Sequence, residues 1–386
     1  CDFPVGQVHH FDYLPKATAR AGRACSLLFG NLEPVYKPEA LALVIPNQHR
    51  RDNSRNWVNG ALNTANHALL DLHANFLVAD EFRLDQLPSE VKTLIYPVPY
   101  TLSDEVFDQL VAFVEGVGTL LLTGDVTFDE LRKRTRADRL ARLCGVEFLE
   151  QGSAPGEVDE GYRAKATENP LGLSSLVLAV RGQLAGATPL LMTEAGPGLV
   201  ENRLGTGRVI YSTAPVEVYD ADATRKLYQY VLDTAPVGDS GTAIDDAGRQ
   251  LHAMRGWTTT GRFVVLFNKS RSQPNLAKLE LCGRQIELEV PAFSPGLVWC
   301  SEDGKVLALE GQGSFKVDGK ELARASELSM LVALDGKDLA TSGAVLASIL
   351  GEGSLSFAGQ KLAAERGTLE AGKWRAFQQL PEQTPV

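Results

Sequence analysis

The chain has 386 residues, 44% of them hydrophobic, which is enough for two or three domains with cores of their own. Its formal charge of −10 argues against nucleic acid as a general partner, because phosphate backbones reward a basic surface. The five cysteines (Cys1, Cys25, Cys144, Cys282, Cys300) are scattered without a Cys-x-x-Cys pair, disfavouring a disulfide framework or zinc site, and no apolar run reaches the ~18 residues of a membrane span.

The chain opens at Cys1 with no methionine and no visible signal peptide. We expect a processed product or a fragment of a longer chain. The following "FDYLPKATARAGRACSLLFGNL" reads as structured chain, which favours a fragment over a lipid-modified terminal cysteine on a tether. Cytoplasm and periplasm both remain open.

"LALVIP" (41–46) is the short continuous apolar run of a strand buried on both faces. Trp57, Ala61, Ala65, Ala68 and Leu72 then recur at helical spacing, and "NFLVAD" (75–80) reads as a second strand. In "LIYPVPYTLSDEVFDQLVAFVEGVGTLLLTGD" (94–125) a strand runs through a Pro-x-Pro turn into a helix. Ser103 is placed to cap it, Asp104 and Glu105 sit in its electropositive first turn, and Val106, Leu110, Val111 and Val114 form its inner face. Gly116 and Gly118 stop it before a fourth strand, "TLLLTG". Strand, helix, strand, helix predicts a doubly wound parallel sheet of flavodoxin type. Arg132, Lys133, Arg134, Arg136, Arg139 and Arg142, interleaved with Leu131, Leu140 and Leu143, predict the solvated side of an amphipathic helix.

After Gly145 the pattern changes. In "GLVENRLGTGRVIYSTA" (198–214) the Gly205-Thr206-Gly207 turn precedes a strand rather than a helix, which predicts a hairpin and no phosphate loop. A helix near 223–232 closes this domain. From about Gly241 the period is two: "RFVVLFN", "KLEL" and "QIELEV" read as strands. The pairs Asp303-Gly304, Asp318-Gly319 and Asp335-Gly336 read as hairpin turns, and the region as an all-β sandwich.

His9, His10, His67 and His73 show no metal-binding spacing. His49 follows the first strand, at the edge where open α/β sheets bind ligands, and reads either as a ligand residue or as a solvated loop histidine. Asp80 and Asp125 end the second and fourth strands; each is a ligand-edge candidate or a cap of the turn that follows. Trp257, Phe263, Phe267, Phe293 and Trp299 could stack on sugars. Alternation places Phe263 and Phe267 in the core and leaves Trp299 as the aromatic expected at the surface.

Residues 40–238 resemble the β-galactosidase trimerisation domain, the glutamine-amidotransferase-like domain behind the catalytic barrel of glycoside hydrolase family 42. The resemblance is carried by "LALVIPNQHRRDNSRNW", the 94–125 stretch, "RLARLCGVEF" and "LGTGRVIYSTAP". It implies an α/β, doubly wound, amidotransferase-like domain at 40–238, a β-sandwich at 239–386, and at 1–39 a remnant or linker from a preceding barrel. Amidotransferases present a nucleophilic cysteine at the turn after the third strand; here the turn holds Val98, Pro99 and Tyr100. Prolines on both sides of Val98 restrict the backbone that a strained elbow requires. These three residues are therefore interface candidates at an apolar rim, unless they pack under the loop after Pro46.

The function implied is that of a non-catalytic assembly and accessory region. A retaining glycosidase carries two carboxylates about 5 Å apart on a barrel of ~250 residues, for which 40 N-terminal residues leave no room. The implied partners are further copies of the chain, most simply a trimer, and a barrel in the same or a parent chain, with carbohydrate as a further candidate; no cofactor or metal is implied. The alternatives are a free-standing amidotransferase-like or sugar-processing enzyme using His49, Asp80 or Asp125, and a carbohydrate-binding module.

Overall fold

The computed structural model describes residues 33–52, 57–154, 158–238, 244–245 and 250–334, and short strands at 338–341, 345–347, 356–357, 360–361 and 367–369. The chain divides into two compact units, one of residues 38–239, the other of 1–37 with 240–386. Cys1, Cys25, His9, His10 and the Asp335-Gly336 turn lie outside the described residues.

In the 38–239 unit, β1 (Leu41–Ile45), β2 (Leu77–Asp80), β3 (Thr93–Tyr96) and β4 (Thr119–Thr123) alternate with α1 (Trp57–Asp71) and α2 (Asp104–Glu115). Further along come β5 (Val146–Gln151), β6 (Arg163–Glu168), β7 (Ser175–Val177), β8 (Val180–Leu184), β9 (Thr188–Thr193), β10 (Gly196–Leu204), β11 (Gly207–Ser212) and α3 (Ala221–Thr234). One sheet runs β2-β1-β3-β4-β11-β10-β9-β6-β7, with β5 and β8 paired separately. Strands β2, β1, β3, β4 and β11 are parallel, and both faces are buried. Ala42, Leu94, Leu120 and Val209 face α2, while Leu43, Ile95, Leu121 and Ile210 join the core under α1 and α3. This two-sided burial is why the strands read as continuous apolar runs.

The expected doubly wound flavodoxin/amidotransferase-like domain followed by a sandwich is not what forms. Among the described residues strand far outweighs helix, in large curled sheets. From β10 the sheet turns antiparallel, because the Gly205-Thr206 turn folds β10 directly back on β11 and the β10–β9 and β9–β6 pairings continue the reversal. Gly207 has no room for a side chain: a Cβ there would sit 2.0 Å from the Val114 carbonyl oxygen. The hairpin thus seats directly on the end of α2.

The second unit contains β12 (Leu251–Thr258), β13 (Gly261–Asn268), β14 (Asn275–Leu281), β15 (Arg284–Val290), β16 (Pro295–Ser301), β17 (Val306–Val317) and β18 (Lys320–Leu334). They belong to one continuous sheet rather than to two stacked sheets. The long β17 pairs with β16 through its first half and with β15 through its second, with register shifts at Glu287/Glu289 and Gly311/Gly313. Bulges of this kind bend a strand and increase its twist, so the sheet curls around its own core. Asp318 and Gly319, both at positive φ, make the β17–β18 turn.

The register differs from the expectation by one residue. Val264, Leu266 and Asn268 face the core, while Phe263 and Phe267 lie half-buried on the other face. Apolar residues at nearly every position of "RFVVLFN" leave the choice of face open, and a one-residue slip exchanges the faces. Trp299, expected at the surface, is 5% exposed on β16, which lies between β13 and β17.

Candidate functional site

The carboxyl ends of the parallel strands gather the polar chemistry of the 38–239 unit. β1 leads into Asn47, Gln48 and His49, β2 ends in Asp80 and Glu81, β3 in the 97–101 turn, and β4 in Asp125; β11 leads into Glu217.

His49 is buried, 5% exposed, and stacks on Tyr100 with centroids 5.3 Å apart. Trp57, the first residue of α1, stands edge-on to both rings, at 5.0 Å from His49 and 5.7 Å from Tyr100. The three rings form a closed triangle. Nδ1 of His49 lies 3.4 Å from the Thr101 hydroxyl. Burial first, and Arg132 second, lower the His49 pKa to about 4, so the ring is neutral at pH 7. His49 Nε2, Trp57 Nε1 and the Tyr100 hydroxyl are all buried without a hydrogen-bond partner among the described residues.

Pro97, Val98, Pro99 and Tyr100 are buried within the unit, Tyr100 to 1% exposure, so they form no exposed rim. Val98 and Tyr100 pack with Trp57 and Phe128 instead, which is the packing under the loop after Pro46 weighed above. The flanking prolines do not prevent strain: Val98 (φ 44°) and Tyr100 (φ 39°) both lie in the left-handed region. Such residues cost about 1–3 kcal/mol each and persist only where their surroundings hold them. Here the Val98 N–H donates to Thr123 Oγ1 at 3.2 Å, and Thr123 donates to Glu217 at 2.8 Å. Gly124 (φ 84°) closes the floor; a Cβ on it would meet the Tyr100 ring at 3.1 Å.

The carboxylates are engaged by the protein itself. Asp80 accepts from Asn47 at 2.8 Å and from the Phe82 N–H at 3.2 Å, capping the turn after β2. Asp125 pairs with Arg134 at 2.9 Å and accepts from the Thr127 N–H at 2.8 Å; burial nevertheless raises its pKa. Arg134 in turn lies over the Phe128 and Phe148 rings. None of His49, Asp80 and Asp125 hydrogen-bonds another of the three. Two carboxylates were missed in the sequence. Glu81, fully buried, accepts from the Tyr96 hydroxyl and the Gln48 N–H. Glu217 accepts from Thr123 and, at 2.9 Å, from Tyr228, and burial raises its pKa. Their place just after strand runs was the available signal. Trp57 was legible only as one position of a helical face.

No group of three His, Cys, Asp or Glu among the described residues could hold a metal ion, and no helix among them is long and apolar enough to cross a membrane.

The fold is shared with parts of larger glycosidases. A catalytic mutant of a GH42 β-galactosidase from G. stearothermophilus matches at TM-score 0.57 and 18% identity, over 76% of this chain and 45% of that one. A β-galactosidase from Bacillus circulans sp. alkalophilus matches at 0.52 and 16%, over 67% and 41% of the two chains. That of the Antarctic haloarchaeon Halorubrum lacusprofundi matches at 0.50 and 14%, over 76% and 44%. No family model and no curated protein matches the sequence. The chain spans less than half the length of these β-galactosidases, and at such identities what it shares with them is the fold.

Proposed function

We propose that this chain is the non-catalytic assembly and accessory region, C-terminal in position, of a β-galactosidase-like glycoside hydrolase. The observation that carries this reading is partial coverage: the fold is shared with a GH42 β-galactosidase over 76% of this chain but 45% of the partner. The catalytic barrel then belongs to the same or a parent chain, and self-association, as a trimer, is the assembly role. A closed ring of copies suits it, since heterologous contacts that close leave no free sticky edge.

The state of the strand-end carboxylates supports the non-catalytic part. Glycoside hydrolysis needs one carboxylate as acid and another as nucleophile or base, both open to the sugar. Glu81, Asp125 and Glu217 are instead buried and hydrogen-bonded within the unit. Burial of Trp299 in the β unit likewise supports weak sugar affinity there. The test is hydrolysis of a nitrophenyl β-galactoside by the purified chain, where no turnover is expected. Turnover abolished by Asp80→Ala or Asp125→Ala, with the melting temperature unchanged, would replace this reading by a sugar-processing enzyme.

A further inference from the structure

We infer that Cys282 and Cys300 form a reversible disulfide that staples the curled sheet of the second unit. The inference does not depend on the glycosidase reading; it rests on residues of the β unit alone. In the order of the sheet the two cysteines stand apart: Cys300 lies on β16, Cys282 just past the end of β14, and β17 and β15 run between them. The curl brings them back together. The Cys282 thiol lies 4.0 Å from the Cys300 carbonyl oxygen, although eighteen positions separate the two in sequence. Both are free thiols in this structure.

The register sets the side of the sheet that the two thiols share. Arg262 of β13 is the direct partner of Cys300, so their side chains leave the ladder on the same face. On that face Cys300 joins Val264 and Val298 in the core, and Cys282 packs against the same cluster from its turn. The Arg262 charge and backbone N–H both act on the Cys282 thiol, which puts the sulfur beside the Arg262–Cys300 pair. Turn chemistry does not account for a cysteine there. Cys282 (φ 50°) and Gly283 (φ 73°) make the two-residue β14–β15 turn, a geometry that ordinarily selects Asn, Asp or Gly at its first position. Cys144, the remaining free cysteine among the described residues, is buried in the other unit.

Exposure sets the order of events, since Cys282 is half-buried and Cys300 fully buried. The oxidant is an organic disulfide such as oxidised glutathione. The Cys282 thiolate attacks one of its sulfurs, and the other leaves as a thiolate. Cys300 then gives up its proton and attacks the Cys282 sulfur, expelling the second glutathione thiolate. Two protein thiols are oxidised and one organic disulfide is reduced to two thiols, so the electrons balance. Burial foremost raises the Cys282 thiol and pushes Cys300 up to about 12, so both are protonated at pH 7 and the exchange quickens as pH rises. The charges around them are of both signs: Arg262, Glu302 and Asp303 near Cys282, Arg284 and Asp318 near Cys300. The bond ties the end of β14 to β16 without the intervening ladder and constrains the unfolded chain.

Trypsin separates the pair, because Cys282 falls in the peptide 279–284 and Cys300 in 285–305. The whole folded chain is incubated with oxidised glutathione, its remaining thiols are alkylated, and the digest is read by mass spectrometry before and after reduction. The expected product is the two peptides joined, lighter than their sum by the two hydrogens lost, and released by dithiothreitol. It should form about tenfold faster at pH 8 than at pH 7, as the thiolate fraction does. The oxidised chain should melt above the reduced one. Cys282→Ser, at a half-buried position, should still fold, give no joined peptide and leave Cys300 open to alkylation once unfolded. The inference is overturned if Cys282 stops at the glutathione mixed disulfide, if it joins another cysteine in preference to Cys300, if the joined peptide forms only in urea, or if oxidation lowers the melting temperature.

Discussion

His49 gives up its charge on folding. Its pKa falls from 6.5 to about 4, so between these values the unfolded chain holds a proton that the folded chain does not. Stability therefore rises with pH across that window and is lost on acidification from pH 6.5 towards 4, by about 3 kcal/mol in all. Urea melts at pH 7 and pH 5 should show a loss that is smaller in His49→Gln; an identical loss in the variant would remove His49 from this account. The Val98–Thr123–Glu217 chain makes a second prediction. Thr123→Val takes a partner from both the Val98 N–H and the Glu217 carboxyl, both buried, and should cost about 2–4 kcal/mol in urea unfolding. A loss under about 0.5 kcal/mol would mean the strained turn is held by ring packing alone.

At the scale of elements, α2 shows what the sequence makes legible and what it does not. Its cap, inner face and glycine stop were all readable, because they are local: Ser103 accepts the Val106 N–H at 3.2 Å, and Val106, Leu110, Val111 and Val114 are buried as their spacing predicts. Ser103→Ala should cost about 1 kcal/mol in thermal or urea melts. The basic run after it misled the sequence reading. Residues 129–137 are turns and irregular backbone, and only a short helical stretch at 138–144, ending in Leu140–Cys144, follows, so no long amphipathic helix forms. Arg136 and Arg139 instead reach back to Asp104, and Arg142 to Asp108. Arg136 foremost, with Arg139, holds the Asp104 carboxyl well below the usual carboxylate range. Contacts across more than thirty residues leave no mark on local periodicity, so a run of arginines reads as a wet helix face whether or not it is one. Arg139, 1% exposed and bonded also to the Leu102 and Phe128 carbonyls, anchors the loop; Arg139→Met should destabilise by several-fold more than Arg142→Met, whose pair is exposed. The candidate site was legible in the same partial way. Strand ends pointed to His49, Asp80 and Asp125, but Trp57 and Glu217 join it only through the lateral order of β1, β3, β4 and β11, which alternation along a strand does not encode.

For the whole molecule, strand parity was readable while strand order was not. Period-two runs identified the β unit, yet whether they stack as two sheets or curl as one depends on the bulges of β17, where Gly311 lets the Glu289 carbonyl approach to 2.7 Å of where a Cβ would stand. The assembly role likewise cannot come from Val98, Pro99 and Tyr100, which the unit buries in its own interior. Tyr100→Glu should unfold the unit rather than dissociate an oligomer, since it buries an unpaired charge among rings. Under the proposed assembly role, copies would meet through some other surface. Light scattering on the purified chain at tens of micromolar tests the central claim most directly: an assembly region should give three times the mass of one chain, and the mass of a single chain would contradict it.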